Sequence, residues 1–251
     1  MIATLTEKPI KIANDHYLLR INAPGARSCP GQFINIRANS GTSPLLRRPF
    51  SIFNHEGDML EIIIQVIGKG TSLLSTAPAG DIDIIGPVGT GFTLCRDSNV
   101  MLVGGGVGNA PLYYLARKLR ELNNSITFIF GARSSEYIYL KDKYEAVADR
   151  FIVTTDDGSA GIRCNAVNAC MDITGDADWA GIYTCGPTPM MRLLSSIQGN
   201  IPVQVSLENY FGCGIGLCAG CTVETDNGLS RACVDGPVMD GRKINWETMA
   251  E

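Results

Sequence analysis

Four cysteines near the end of the chain have the spacing of iron–sulfur ligands. Cys213, Cys218 and Cys221 follow the pattern C-x4-C-x2-C, and eleven residues separate Cys221 from Cys233. This pattern is typical of the four thiolates that hold a plant-type 2Fe–2S cluster. Three ligands within nine residues require a tightly wrapped loop, whose backbone freedom comes from Gly212, Gly214, Gly216 and Gly220. The spacing therefore predicts a metal centre with these four cysteines as ligands.

Two other interpretations of the cysteines remain open. A structural zinc site also uses four thiolates, but it usually contains two separated C-x2-C pairs, and this chain has one such pair. A disulfide framework is disfavoured in a chain of this size without a secretory signal. The sequence thus favours an iron–sulfur cluster over zinc and over thiols that bind nothing.

The fourth cysteine is expected to return to the loop through a β-hairpin. Residues 222–225 and 229–232 flank the sequence Asp226-Asn227-Gly228, which is typical of a tight hairpin turn. Such a hairpin would bring Cys233 back beside Cys221.

A glycine-rich loop in the middle of the chain is a candidate phosphate-binding loop. It follows residues 100–103, which predict a strand, and precedes residues 112–119, whose apolar positions predict a helix. Backbone N–H groups in such a loop, together with the start of the helix, favour an anion. The glycines are Gly104, Gly105, Gly106 and Gly108. The G-x-G-x-x-G fingerprint is incomplete because Asn109 stands in the third glycine's place, and a turn without a ligand is the alternative.

A second candidate binding motif begins at Arg47 and continues through Arg48, Pro49, Phe50 and Ser51. An arginine fork suits a pyrophosphate, a phenyl ring suits stacking, and a serine hydroxyl suits a ring nitrogen. Exposed arginines on the rim of a β-domain are the alternative interpretation, so the motif gains weight only together with the glycine loop and the cysteines.

Composition limits the classes of function. The chain has 251 residues, of which 45% are hydrophobic and 18% charged, with a net charge of −4. It can therefore form sizeable cores, and it has no basic run that would favour nucleic acid. Residues 1–20 do not have the pattern of a signal peptide, and no apolar run is long enough to span a bilayer, so no membrane partner is expected. Nine cysteines, only four of them with ligand spacing, fit a reducing cytoplasmic compartment.

Residues 1–96 are predicted to form an antiparallel β-barrel. Short β-branched or alternating segments recur there, and Gly, Pro, Asn and Asp separate them. The segments are residues 10–12, 17–21, 33–36, 51–53, 60–66 and 81–85. Short strands with this turn chemistry predict a small closed barrel.

Residues 97–205 are predicted to form an α/β domain, and residues 206–251 a small cluster domain. The expected strands of the α/β domain are residues 100–103, 126–130, 150–155 and 181–185. Because strands and helices alternate, the sheet is expected to be parallel with helices on both faces. The predicted fold class is therefore multi-domain.

Together these parts resemble the ferredoxin-NADP reductase superfamily. Arg48, Pro49, Phe50 and Ser51 look like its R-x-Y-S flavin motif, with Phe50 in the tyrosine position. The resemblance implies a barrel that binds FAD, an α/β domain that binds NAD, and an appended 2Fe–2S domain. Further residues implied are Gln65, Val66, Ile67, Gly70 and Thr71 for FAD, and Gly104, Gly105, Gly106, Gly108, Asp157, Cys185, Gly186 and Pro187 for NAD. In relatives the cysteine of the last motif lies near the nicotinamide, which makes Cys185 a candidate for catalysis.

Within the superfamily the chain most closely resembles the electron-transfer subunits of NAD-dependent (class 1B) dihydroorotate dehydrogenases. The most telling stretch is the cysteine loop, with Glu208 before it and residues 232–241 after it. The resemblance implies a cytoplasmic subunit in pyrimidine biosynthesis. It would pass electrons from the FMN of a catalytic dihydroorotate dehydrogenase subunit through the cluster and FAD to NAD, with two copies of each chain in the complex.

Two other functions remain as alternatives. NADH-dependent ferredoxin or sulfide oxidoreductases have similar subunits, but an aspartate commonly stands there in the place of Cys213. A non-enzymatic metal-binding interaction module is the other alternative. His16 and His55 belong to no motif and are expected at the surface.

Overall fold

The first part of the chain folds into a closed antiparallel barrel. A computed structural model of the protein describes residues 1–197 and 200–249, and all elements given below are those of the described residues. The barrel elements are β1 (Ile2–Leu5), β2 (Ile10–Ala13), β3 (His16–Asn22), β4 (Phe33–Ile36), β5 (Arg48–Glu56), β6 (Met59–Gln65), α1 (Lys69–Ser75) and β7 (Gly80–Val88). The strands pair in the order β1-β7-β4-β5-β6-β3, and β1 also pairs with β3, which closes the ring. The predicted antiparallel barrel is confirmed.

One strand of the ring differs from the sequence prediction. The sequence does not predict β1, whose pairing with both β7 and β3 closes the barrel. It does predict β2, which pairs with β3 alone and lies outside the ring. In β1, Ala3 and Leu5 are buried while Ile2 is exposed. An alternation of only four residues carries too weak a signal to identify a strand from sequence.

The second part of the chain is an α/β layer structure. Its elements are β8 (Asn99–Gly105), α2 (Asn109–Arg120), β9 (Ser125–Ala132), α3 (Lys141–Val147), β10 (Arg150–Thr155), β11 (Ile162–Arg163), α4 (Ala166–Ile173), β12 (Trp179–Cys185), α5 (Thr188–Ser195) and β13 (Val203–Ser206). The sheet order is β11-β10-β9-β8-β12-β13, and all these pairs are parallel. The predicted parallel sheet is therefore confirmed, with β11 and β13 added at its edges.

The cysteine-rich segment contains a hairpin and a strand that joins the α/β sheet. The hairpin strands are β14 (Thr222–Thr225) and β15 (Gly228–Arg231), and their register confirms the predicted turn. The last strand, β16 (Val238–Asp240), pairs antiparallel with β13. The segment is thus tied to the sheet through backbone hydrogen bonds, and the domain boundaries at 96/97 and 205/206 stay predictions.

The barrel and the α/β part are in direct contact. On α2, the Tyr114 hydroxyl donates to the carbonyl oxygen of Ser28 at 3.1 Å, and Arg117 Nη1 donates to Asn54 Oδ1 at 2.6 Å. The face of α2 that packs on the sheet is fully buried, with Leu112, Leu115, Ala116 and Leu119 all at 0% exposure. This is the i, i+3, i+4, i+7 face expected from the sequence.

The two histidines are not the surface residues that the sequence predicts. His16 is 1% exposed, and its ring stacks on that of Tyr139 with 5.2 Å between centroids. The prediction for His16 is wrong because a segment of the α/β part covers β3, as shown by the hydrogen bond from the amide of Asn14 to the carbonyl of Glu136. His55 is half-buried. Within the described chain, no helix is long and apolar enough to cross a bilayer.

Candidate functional site

The four predicted ligand cysteines form an inner and an outer pair. Cys221 and Cys233 are buried, at 2% and 1% exposure, Cys213 is half-buried and Cys218 is exposed. The backbone amide of Ala232 donates to the carbonyl of Cys221 at 3.0 Å, so the hairpin does return Cys233 beside Cys221. Two thiols therefore face the protein and two face outward, which suits a redox centre close to the surface.

Backbone amides of the loop point at the thiol sulfurs. Amide donors of this kind stabilise thiolates and help to set the potential of an iron–sulfur cluster. The contacts run from the amides of Gly216 to Cys233 Sγ (3.2 Å), Leu217 to Cys213 Sγ (3.3 Å), Cys218 to Cys213 Sγ (3.4 Å) and Gly220 to Cys218 Sγ (3.4 Å).

The wrapping of the loop depends on three residues in left-handed conformation. Gly214 and Gly216 have φ values of +68° and +81°, which glycine adopts without strain. Ala219 has φ +53°, a feature that no sequence pattern indicates. Glycine at position 212 avoids crowding of a thiol, because a Cβ there would lie 3.2 Å from Cys218 Sγ.

The environment of the loop shifts the pKa values of an outer and an inner thiol in opposite directions. Backbone amides, chiefly that of Ile215 and next that of Cys218, lower the pKa of Cys213 to about 6. Burial and, next, the adjacent thiol of Cys221 raise the pKa of Cys233 to about 11. In residues 1–197 and 200–249, no group of three or more His, Cys, Asp or Glu side chains is arranged to hold a single metal ion. The fit to a 2Fe–2S cluster therefore rests on the four-thiol donor set and its amide contacts.

The predicted flavin motif opens strand β5. Arg48, Pro49, Phe50 and Ser51 are all half-buried there. The guanidinium of Arg47 forms an ion pair with Asp83 at 2.6 Å. In the described part of the chain Arg48 has no ion-pair partner, and its guanidinium donates to the main-chain carbonyls of Leu46 and Arg47. Arg48 is thus the arginine that can turn to a bound anion.

The second flavin segment lies beside the first. A Cβ on Gly70 would be 2.7 Å from Arg48 Nε, so Arg48 packs on the first turn of α1. Thr71 Oγ1 accepts hydrogen bonds from the amides of Ile67 and Gly68 at 3.0 and 3.2 Å, which fixes the turn into the helix. Gln65 and Val66 are half-buried at the end of β6, whereas Ile67 is 84% exposed. A guanidinium on this turn that has no ion-pair partner in the described chain suits a pyrophosphate.

The glycine loop is shaped mostly by its protein neighbours. A Cβ on Gly105 would lie 2.9 Å from Met190 Sδ, and one on Gly108 would collide with the carbonyl group of Cys185. Gly106 differs, because it has φ +57° and its Cβ position faces open space. Of these glycines, Gly106 is the one that leaves room for a ligand beside the backbone.

Asn109 replaces the third glycine of the fingerprint and has a structural role. It is 0% exposed, and its Nδ2 donates to the carbonyls of Gly106 at 2.9 Å and Gly131 at 3.1 Å. Since Gly104 lies directly against this side chain, Asn109 holds the loop to the ends of β8 and β9. The departure from G-x-G-x-x-G is therefore compensated within the fold.

Cys185 and Glu208 meet at the carboxyl end of the sheet. The Cys185 thiol is 1% exposed and lies 3.8 Å from Glu208 Oε1. Desolvation and, next, the facing carboxylate raise the pKa of Cys185, and desolvation also raises the pKa of Glu208. Glu208 as a whole residue is nevertheless exposed, so the pair lies where the carboxyl end of the sheet meets solvent.

Tyr139 joins this site although no sequence motif indicates it. It is 1% exposed, and its hydroxyl donates to the carbonyl of Gly106 at 3.2 Å.

The other predicted NAD residues lie at neighbouring strand ends. Asp157 is at the exposed turn after β10, where it accepts hydrogen bonds from the amide and the hydroxyl of Ser159, and these bonds lower its pKa. Gly186 and Pro187 follow Cys185 and line the glycine loop through Gly105.

If the glycine loop binds NAD, as the resemblance implies, replacing Gly108 with alanine is expected to lower NADH oxidation about tenfold to a hundredfold. The added Cβ meets the backbone of Cys185, which cannot rotate away, so the loop must shift, and misplacement of about 1 Å costs rates of this order. The measurement is steady-state NADH-dependent dye reduction. Gly175→Ala is the matched control, because its Cβ would face open space. An unchanged rate for Gly108→Ala would show that the loop position is unimportant.

Two family models match the chain. Residues 208–245 match the iron–sulfur cluster binding domain of dihydroorotate dehydrogenase B, and residues 102–196 match the oxidoreductase NAD-binding domain. The first match covers all four predicted ligand cysteines, and the second covers the glycine loop and Cys185.

The chain is similar to named electron-transfer subunits and to one solved oxidoreductase chain over nearly its whole length. It is 35% identical to the dihydroorotate dehydrogenase B (NAD(+)) electron transfer subunit of Desulforamulus reducens, covering 94% of this chain and 95% of that one. It is 38% identical to the subunit of the same name from Caldanaerobacter subterraneus subsp. tengcongensis, covering 93% and 94%. Among solved structures, a chain of the NADH-dependent reduced ferredoxin-NADP oxidoreductase is 32% identical, with a TM-score of 0.88 over 97% of this chain and 90% of that chain.

Proposed function

Because the chain belongs to the family of dihydroorotate dehydrogenase B electron transfer subunits, we propose that it passes electrons from a partner that oxidises dihydroorotate to NAD. The pathway served is pyrimidine biosynthesis. The observation that carries the proposal is the complete four-cysteine loop, with amide donors at its sulfurs, on a fold that matches the family over more than nine-tenths of its length. When bound, FAD exchanges hydride with the nicotinamide and single electrons with the cluster.

The barrel residues are proposed to hold FAD. Arg48 and the first turn of α1, including Gly70 and Thr71, hold the pyrophosphate. Phe50 stacks and Ser51 offers its hydroxyl to the ring, while Gln65, Val66 and Ile67 line the ring edge with their backbone groups. The support is that Arg48, free of any acidic partner in the described chain, packs directly on Gly70.

The carboxyl end of the α/β sheet is proposed to hold NAD. Gly106 leaves open space for the dinucleotide, and Gly104, Gly105 and Gly108 let the loop pack tightly on its neighbours. Asp157 stands at the next strand end, where ligands of open α/β sheets bind. Cys185, Gly186 and Pro187 form the wall near the nicotinamide, and the neutral Cys185 thiol excludes water from the reacting face.

The partner is proposed to be the FMN-containing catalytic subunit, with two copies of each chain. It would dock over the outward-facing thiols, because large apolar side chains are exposed there. Tyr210 and Leu217 are 83% and 82% exposed, and Ile215 is 41% exposed. All nine cysteines are free, which supports a reducing cytoplasmic setting.

Reconstitution of the purified chain with iron, sulfide and FAD tests the electron-transfer function. The expected result is a visible spectrum with both flavin and 2Fe–2S absorption, and rapid dye reduction by NADH. A chain that binds neither group, or binds both but does not accept electrons from NADH, would contradict the proposal.

A second function is favoured by one observation. The structural similarity to a chain of the NADH-dependent reduced ferredoxin-NADP oxidoreductase supports a subunit that feeds a ferredoxin instead. Cys213 favours the dihydroorotate function, since an aspartate is common at this place in the alternative group. The identity of the partner separates the two.

Replacing Cys185 with serine is expected to slow NADH-dependent FAD reduction about tenfold to a hundredfold, with FAD and cluster contents unchanged. Serine places a smaller and more strongly hydrated group beside Glu208, so the nicotinamide is held less closely. Stopped-flow spectroscopy at the flavin band measures the rate. Cys170→Ser is the matched control, because Cys170 is equally buried but lies beside Met101 behind the sheet. Equal rates in both variants would remove Cys185 from the site.

A further inference from the structure

Asn35 is a buried polar residue whose amide nitrogen has no partner. It lies in the middle of β4 and is 1% exposed. Its Nδ2 is buried and forms no hydrogen bond with any residue that the structure describes. A buried donor without an acceptor costs about 1–3 kcal/mol, and native proteins rarely keep one without a reason.

Asn35 lies on the same face of the barrel sheet as two residues of the flavin motif, Pro49 and Ser51. In the register of β4 with β5, Asn35 is opposite Pro49 and Phe33 is opposite Ser51. Residues directly opposite each other in antiparallel strands place their side chains on one face. Ile34 and Ile36 point the other way and belong to the core of the barrel. Asn35 is therefore beside Pro49 and on the face of Ser51, whereas Phe50 and Arg48 lie opposite Ile34 and Ile36 on the other face.

The same residue also contacts the cysteine loop. A Cβ on Gly214 would collide with the side-chain amide of Asn35, so the two are packed without space between them. Gly214 directly follows the ligand Cys213. Two residues before Asn35 in β4, the ring of Phe33 packs on that of Phe211 with 4.8 Å between centroids. The loop that carries the predicted ligands thus packs on the face of β4 and β5 that carries Pro49 and Ser51, and Asn35 lies at the contact.

We propose that Asn35 is a further residue of the redox site, which donates a hydrogen bond from Nδ2 to an acceptor atom of a bound redox group. This inference rests on the proposed electron-transfer function. The acceptor is electron-rich, either a ring atom of the flavin or a sulfur of the cluster, because these are the groups that the two neighbouring motifs hold. A donor at this place stabilises the reduced, more negative form and raises its reduction potential. Asn35 also keeps the loop at a fixed distance from the flavin strand.

The test is Asn35→Leu, which keeps the shape of the side chain and removes the donor. Both reduction potentials are measured by spectroelectrochemical titration of the chain loaded with FAD and cluster. The expected result is a lower potential for one of the two groups. Loss of one hydrogen bond changes the equilibrium constant for reduction roughly three- to tenfold, and tenfold equals about 59 mV for one electron or about 30 mV for two. The group that shifts identifies the acceptor.

A second measurement separates a redox contact from a structural one. Without cofactors, Asn35→Leu removes an unpaired donor, so the chain is expected to melt at the wild-type temperature or above. Unchanged potentials for both groups, or a lower melting temperature of the cofactor-free chain, would overturn the inference. Asn35→Asp gives the same shape without the amide and is measured if Asn35→Leu does not retain its cofactors. Asn22→Asp on β3, a strand that does not pair with β4 or β5, is the control.

Failure of the inference is distinct from failure of the proposed function. If the wild-type chain binds FAD and cluster and accepts electrons from NADH, the function holds whatever Asn35 does. If the wild-type chain binds neither group, the proposed function is wrong, and Asn35 then has no acceptor for its hydrogen bond.

Discussion

Cys221→Ser is expected to lower electron transfer from NADH to a one-electron acceptor served by the cluster by more than about a hundredfold. Cys221 is the proposed inner ligand of the loop and is 2% exposed, so water has little access to replace its thiolate. Loss of residues that merely support metal ligands already costs about 10- to 100-fold. NADH reduction of FAD is expected to stay within about twofold, because the flavin and glycine-loop residues are untouched.

The spectrum and two rates test this prediction together. The variant should lose the 2Fe–2S bands and keep the flavin bands. Cys164→Ser is the control, since Cys164 is a half-buried cysteine outside the loop and should retain both sets of bands. A Cys221→Ser chain with full cluster absorption and normal electron transfer would remove Cys221 from the ligand set.

Arg48→Ala is expected to weaken FAD binding about tenfold to a hundredfold. A hydrogen bond between a guanidinium and a phosphate contributes about 1.5–3 kcal/mol, and each 1.4 kcal/mol is tenfold in affinity. Arg48 has no carboxylate partner in the described chain, so its charge is available to the pyrophosphate. Titration of the FAD-free chain by flavin fluorescence quenching measures the dissociation constant.

The neighbouring arginine provides a matched control. Arg47 is held by Asp83 in an ion pair of 2.6 Å, so Arg47→Ala should lower stability slightly and leave FAD affinity within about twofold. Equal loss of FAD affinity in the two variants would show that the flavin is bound by general positive charge and not by Arg48.

Much of the fold could be predicted from the sequence because its signals are local. Alternation along β3 and β6, and the apolar face of α2, depend on neighbours within a few residues, and both are present as expected. Strand β1 was beyond such reasoning, since its place in the ring depends on pairing with β7 nearly eighty residues later. The burial of His16 likewise depends on a contact with Tyr139 in the other half of the chain.

The residues of the functional site could be predicted where they follow a local spacing rule. The cysteines and glycines carry spacing rules, so their types alone indicate a cluster and an anion loop. Asn109 breaks such a rule, and only its two hydrogen bonds to loop carbonyls explain why the departure is tolerated. Tyr139 and Asn35 act through contacts between segments about thirty and about one hundred and eighty residues apart, to Gly106 and Gly214. No short motif encodes contacts of that range.

This chain is proposed to carry electrons between dihydroorotate oxidation and NAD. The most direct measurement is purification of the native complex, followed by an assay of orotate formation from dihydroorotate with NAD as acceptor. We expect a co-purifying FMN protein, and orotate formation that depends on NAD and stops in the Cys221→Ser variant. A complex with another partner, active with NADH but inert to dihydroorotate, would contradict it.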